Sequence, residues 1–91
     1  MARKTVRYNP AGIAELPNNR PVKYTIQTDS GNPNYIGTAK RGRVRARISE
    51  HLGEIPGTKV RIEPFGSIKE AEESEERSIR KLQPRYNKKE K

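Results

Sequence analysis

Ninety-one residues with 30% apolar side chains, no tryptophan and one phenylalanine make one small domain with a thin core. The absence of cysteine excludes disulfides and a thiolate zinc site. No apolar run reaches membrane-spanning length, and the basic start MARKTVRYNP lacks the apolar stretch of a signal peptide, so a cytoplasmic setting without a membrane partner is expected. The formal charge is +9, and it is uneven: residues 1–50 carry ten Lys and Arg against three acids, residues 51–91 ten against eight. One strongly positive region of that kind suits a polyanion such as nucleic acid.

Residues 1–20 read as a weakly ordered amino-terminal extension, in which AGIAEL forms a short turn of helix ended by Leu16-Pro17. VKYTIQT then alternates, Val22, Tyr24 and Ile26 against Lys23, Thr25 and Gln27, which is a half-buried strand. DSGNPN is a turn by composition, and NYIGTA returns as a second strand, so the two predict an antiparallel hairpin. RGRVRARISEHL, residues 41–52, reads as a helix with Val44, Ile48 and Leu52 at four-residue spacing, closed by Gly53. KVRIEPF is a third strand, placed at a sheet edge by Pro64.

The stretch KRGRVRAR holds Lys40, Arg41, Arg43, Arg45 and Arg47 without one acid. All five are candidate nucleic-acid-binding residues, with a solvated basic face as the alternative reading, above all for Arg41 and Arg45. Arg43, Arg47 and His51 recur at four-residue spacing beside the apolar stripe, where packing can hold them, and a fixed guanidinium fork is suited to gripping phosphate.

Residues 68–82 read as a final helix with five glutamates in seven positions. Ser67 and Glu70 form a capping box, Arg77, Arg80 and Lys81 fill the last turns in the order the helix dipole favours, and Pro84 stops the helix. At about 100° per residue, Ile68, Ala71, Ile79 and Leu82 share one stripe, and Glu75 falls inside it. Glu70, Glu73 and Glu76 point away and Glu72 borders it. A carboxylate on the core-facing side needs a partner. Either an arginine under the helix edge or a metal ion meets that need. A basic tail, residues 89–91, ends the chain. The predicted fold is a small α/β protein of the α+β kind, a three-stranded antiparallel sheet flanked by helices in the order β-β-α-β-α.

In this order and spacing, Tyr24 on the first strand, Tyr35-Ile36-Gly37 with Lys40, Arg47 and His51 on a helix, Ala71-x-x-x-Glu75 and Pro84-x-Tyr86-Asn87 resemble the GIY-YIG nuclease domain. That family includes homing endonucleases, some restriction enzymes and the amino-terminal domain of the excision-repair nuclease. The resemblance covers residues 21–88. It implies a three-stranded antiparallel sheet flanked by helices. It further implies that Tyr24 or Tyr35 is the general base, that Arg47 neutralises the scissile phosphate and that His51 stands where the family has tyrosine or histidine. By the same resemblance Glu75 is the single metal-binding glutamate, for Mg²⁺ or Mn²⁺, and Asn87 the asparagine that closes the motif. Val22 stands where the family has glycine, and Thr38 where many members have lysine, with Lys40 two residues on.

The implied function is a metal-dependent endonuclease acting on DNA, with RNA or branched nucleic acid as alternative substrates and a protein partner to supply target selection. A non-catalytic nucleic-acid-binding module on the same fold is the alternative. A structural protein whose acidic helix docks a basic partner is a third reading. The full set of Tyr24, Tyr35, Arg47, His51, Glu75 and Asn87 favours the enzyme, because binding alone has no use for Glu75.

Overall fold

A computed structural model describes residues 4–84 and Tyr86. The elements run β1 (Lys4–Arg7), α1 (Pro10–Ala14), β2 (Val22–Gln27), β3 (Pro33–Ala39), α2 (Val44–Glu50), β4 (Lys59–Pro64) and α3 (Ile68–Leu82). The sheet has four antiparallel strands in the order β1-β4-β2-β3.

The alternation in β2 sorts side chains to opposite faces. Val22, Tyr24 and Ile26 join Val60 and Ile62 of β4 in a core closed by α1 and α2 through Ile13, Leu16, Val44 and Ile48. On the other face α3 packs across β3 and β2, over the buried Ile36, Thr25, Ala71 and Ser74. The domain is therefore a three-layer sandwich with a sheet between two helical layers.

Four sequence expectations change. The expected three-stranded sheet has a fourth strand, because residues 4–7 pair along β4, with Val6 opposite Val60. Residues 1–20 accordingly supply a strand where weak order was expected, and the short turn of helix expected there is α1, capped by Asn9 accepting from the Gly12 amide. β4 lies inside the sheet rather than at an edge, and Pro64 is tolerated because it is the strand's last residue. On α3 the packed positions are Ala71 and Ser74, while Leu82 is 51% exposed. The stripe is rotated toward Ser74 and Ser78 because Lys23, not an apolar residue, reaches up to them from β2.

No helix among the described residues is long and apolar enough to cross a membrane.

Candidate active site

β2 and β3 pair so that Tyr24 stands opposite Gly37 and Ile26 opposite Tyr35, which puts both tyrosines on the face that α2 covers. Tyr24 is fully buried. Its hydroxyl lies 2.8 Å from Nε2 of His51, and the rings of Tyr24 and Tyr35 lie 5.7 and 4.6 Å from the imidazole. Tyr35 is half-buried and sits at the sheet edge. Arg47, one helical turn before His51, faces the same cluster.

Glu75 approaches this cluster from α3, on the other side of the sheet edge. Burial raises its carboxyl pKa, the neighbouring Glu72 and Glu76 raise it further, and Arg47 pulls it back. Tyr24 is pushed well above the ordinary phenol range by burial first and by Tyr35 second, with Arg47 opposing and Glu75 adding to the rise. His51 is pushed below the ordinary imidazole range by burial and by Arg47, against a smaller opposing pull from Glu54 and Glu50. With the imidazole neutral and its proton on Nδ1, Nε2 accepts that 2.8 Å bond from the Tyr24 hydroxyl.

The five basic residues of the 40–47 stretch divide. Lys40, Arg43 and Arg47 line one open cavity of about 300 Å³, with Thr38, Ile68 and Glu72 across from them. Glu50 reaches both Arg43, at 3.9 Å, and Arg47, at 3.8 Å. Arg45 turns the other way, its Nε donating to the Leu16 carbonyl at 2.7 Å, and Arg41 is simply exposed. Thr38 lines the same cavity as Lys40, so a cation stands in that space despite the threonine. Val22 is packed into the core, 1% exposed, and does not border the cavity. Asn87 lies outside the described residues.

Three further residues hold the site together and were not singled out in the sequence. Tyr8 donates to the carbonyl of His51 at 2.6 Å, which fixes the last turn of α2. Asn18 caps the other end: its Oδ1 accepts from the amide of Val44 at 2.8 Å, its backbone carbonyl from Gly42 at 2.7 Å, while Arg43, at the cap position itself, makes no side-chain cap. Lys23, next to Tyr24 but on the opposite face, donates to the hydroxyls of Ser74 and Ser78 at 2.9 Å each and lies 3.6 Å from Glu63. Those serines flank Glu75 on α3. A pair of serines four residues apart on a helix is a sequence signal for such a lysine; nothing local marks Tyr8 or Asn18.

Among the described residues no group of three or more His, Cys, Asp and Glu side chains gathers as a metal cluster. The half-buried carboxylate of Glu75, short of positive charge, suits a hard divalent ion that keeps most of its water, as Mg²⁺ does.

No protein-family model and no curated protein sequence matches the chain. Among solved structures the chain is similar to the GIY-YIG N-terminal endonuclease domain of UvrC from Thermotoga maritima, whose crystal structure holds its catalytic divalent cation, magnesium. The two share 27% identity with a TM-score of 0.65, over 82% of this chain and 90% of that one. The chain therefore has the fold of a GIY-YIG nuclease domain, the resemblance that its ordered motifs implied.

Proposed function

We propose that the protein is a metal-dependent nuclease that hydrolyses DNA phosphodiester bonds. The observation that carries this reading is the convergence of Tyr24, Tyr35, Arg47, His51 and Glu75, drawn from two strands and two helices, around one edge of the sheet beside a basic cavity. The Mg²⁺-bound UvrC domain with the same fold supports it.

Each residue has work that its surroundings fit. Arg47, with Lys40 and Arg43 beside it, binds the phosphate and neutralises the charge that develops on it. Tyr35 is the less buried of the two phenols, and as its phenolate it takes the proton of the attacking water. The water oxygen bonds to phosphorus as the bond to the leaving oxygen breaks. Tyr24 acts from behind: its hydroxyl fixes the neutral imidazole of His51 against the Tyr35 ring. Glu75 holds the divalent ion, which when bound stabilises the leaving oxygen.

Incubation of supercoiled plasmid and branched DNA with Mg²⁺, with Mn²⁺ and with chelator tests the proposal, using Glu75→Gln as the control. Metal-dependent nicking that the control lacks is the expected result. Equal nicking by both proteins, or none by either, refutes it.

A further inference from the structure

α3 lies over β3 and β2 and leaves the same side of β1 and β4 bare. The side chains that point out there are Thr5 and Arg7 from β1 and Lys59, Arg61 and Glu63 from β4, Glu63 standing at the α3 end beside Lys23, because Val6, Val60 and Ile62 point into the core. Arg7 and Arg61 are exposed and Lys59 half-buried. A groove of about 460 Å³ runs along this face, bordered by Thr5, Arg7, Thr58, Lys59 and Asp29.

The register sharpens the picture. Arg7 stands directly opposite Lys59, and Thr5 directly opposite Arg61. Like charges facing each other across antiparallel strands are destabilising. No ion pair of Arg7, Lys59 or Arg61 is found among the described residues; Lys59 Nζ donates only to the backbone carbonyl of Asp29, at 3.4 Å. Edge-strand lysines can deter sheet aggregation, yet two of these three cations lie on β4, which has a partner on both sides. Outward positions recur about 7 Å apart along a strand, and strands lie about 4.8 Å apart. Three cations in that space match the charge of about three phosphates in succession on one DNA strand.

We infer that the bare face of β1 and β4 is a second DNA-contacting surface, which grips the sugar–phosphate backbone outside the catalytic cleft. The inference rests on the reading of the protein as one that acts on DNA. It adds to that reading a surface that α3 separates from the cleft, formed where β1, outside the stretch that resembles the family, pairs with β4.

The test uses the full chain in chelator, so that no cleavage occurs, and follows binding of a fluorescent duplex from low to physiological salt. For Arg7→Gln/Lys59→Gln/Arg61→Gln the slope of log affinity against log salt becomes shallower by about 2 to 3, at about 0.9 for each phosphate no longer neutralised. Removing opposed like charges leaves the thermal midpoint equal to or above the parent's, which separates this result from unfolding. A second measurement needs no variant: DNA slows acylation of Lys59 in the parent protein. An unchanged slope, or acylation of Lys59 at the same rate with and without saturating DNA, overturns the inference. A parent that binds DNA with this footprint but never cuts it sinks the nuclease reading and leaves the surface standing. A parent that cuts while the triple variant keeps the full slope does the reverse.

Discussion

Tyr24 lies across Gly37 so closely that a Cβ on Gly37 would stand 2.6 Å from both Cζ and the hydroxyl oxygen of the ring, and 3.0 Å from Cε2 of Tyr35. The glycine of the Tyr-Ile-Gly motif is thus a seat for the two phenols. Its own backbone is ordinary; the positive-φ glycines are Gly31, Gly42 and Gly53. What position 37 requires is absence of a side chain.

Gly37→Ala therefore forces the Tyr24 ring off its bond with His51. Overpacking of a filled site costs about 1–3 kcal/mol, so the variant is expected to fold with a lower midpoint in chemical denaturation. Its cleavage rate should fall further than its stability does, because the displaced atom is the hydroxyl that holds His51. A variant that loses stability but cuts at the parent rate would show the Tyr24–His51 bond to be incidental.

The two phenols are separable. Tyr35→Phe removes the hydroxyl of the less buried phenol and is expected to lower cleavage by more than tenfold. Tyr24→Phe leaves a buried imidazole nitrogen unpaired, so it should lose about 1–3 kcal/mol of stability and a smaller share of activity. The reverse order of activity loss would make Tyr24 the base.

Much of this arrangement was legible in the chain. The alternation of VKYTIQT and NYIGTA gave the hairpin, and Ser67 does accept from the Glu70 amide at 3.2 Å as a capping residue. The reciprocal half differs: Glu70 Oε1 accepts from the amide of Gly66, not Ser67. β1 was illegible for a physical reason. Four residues with one inward side chain, Val6, carry no periodicity, and the strand exists because β4 offers it an edge. Asn18 could not be read as a cap because the amides it serves lie more than twenty residues away. Lys23 sits at a position that alternation marks as solvent-facing, and α3 covers that face.

Stability should depend on pH through His51. Its folded pKa lies below the unfolded value of about 6.5, so the unfolded chain takes up the proton first as pH falls. The stabilising contribution is full above that value and is lost as pH drops through the folded pKa. The thermal midpoint of the parent is expected to decline from pH 7 to pH 5, and His51→Gln to flatten the decline. Glu54 and Glu50 near His51 oppose this shift and Arg47 adds to it, so a parent with no decline would mean that the imidazole is charged in the folded state.

Tyr8→Phe tests the clasp on α2. It deletes a single hydroxyl, whose pKa is raised to about 12 by burial and by Glu54 and which is therefore a donor throughout the neutral range. Loss of its bond to the His51 carbonyl should remove about 1 kcal/mol of stability. Cleavage should slow at saturating DNA while the KM stays near the parent value, since no group that grips phosphate is touched. A raised KM with unchanged turnover would place Tyr8 in binding instead.

Lys23 makes the equivalent claim for α3. Its side chain is 14% exposed, and its ammonium is tied to Ser74, Ser78 and Glu63. Lys23→Met leaves those groups without their cation, at a cost of about 1–3 kcal/mol. The planar fork of Lys23→Arg does not reproduce a point donor between two hydroxyls. Because Ser74 and Ser78 bracket Glu75, both variants should bind Mn²⁺ more weakly in a paramagnetic titration. Parental Mn²⁺ affinity in a destabilised Lys23→Met would confine the lysine to a packing role.

Glu75→Gln decides the reading of the site. The substitution keeps the shape and removes the charge, and with Glu75 as the proposed ligand it is expected to abolish metal-dependent cleavage. The same change relieves a half-buried carboxylate whose proton affinity is already raised by burial, Glu72 and Glu76. With the folded pKa above the unfolded one, ionisation at neutral pH opposes folding, so without metal the variant should melt at or above the parent temperature. Its DNA affinity should hold or rise, since a negative charge facing phosphate is gone. Added Mg²⁺ should raise the parent's midpoint and leave that of Glu75→Gln unchanged, by the mass action of a ligand that binds the folded state. Glu73→Gln and Glu76→Gln, on the exposed face, should stay within about 0.5 kcal/mol of the parent. If Glu75→Gln unfolds the protein and Mg²⁺ does nothing to the parent, the carboxylate is an ion-pair partner of Arg47 and the nuclease assignment fails with it.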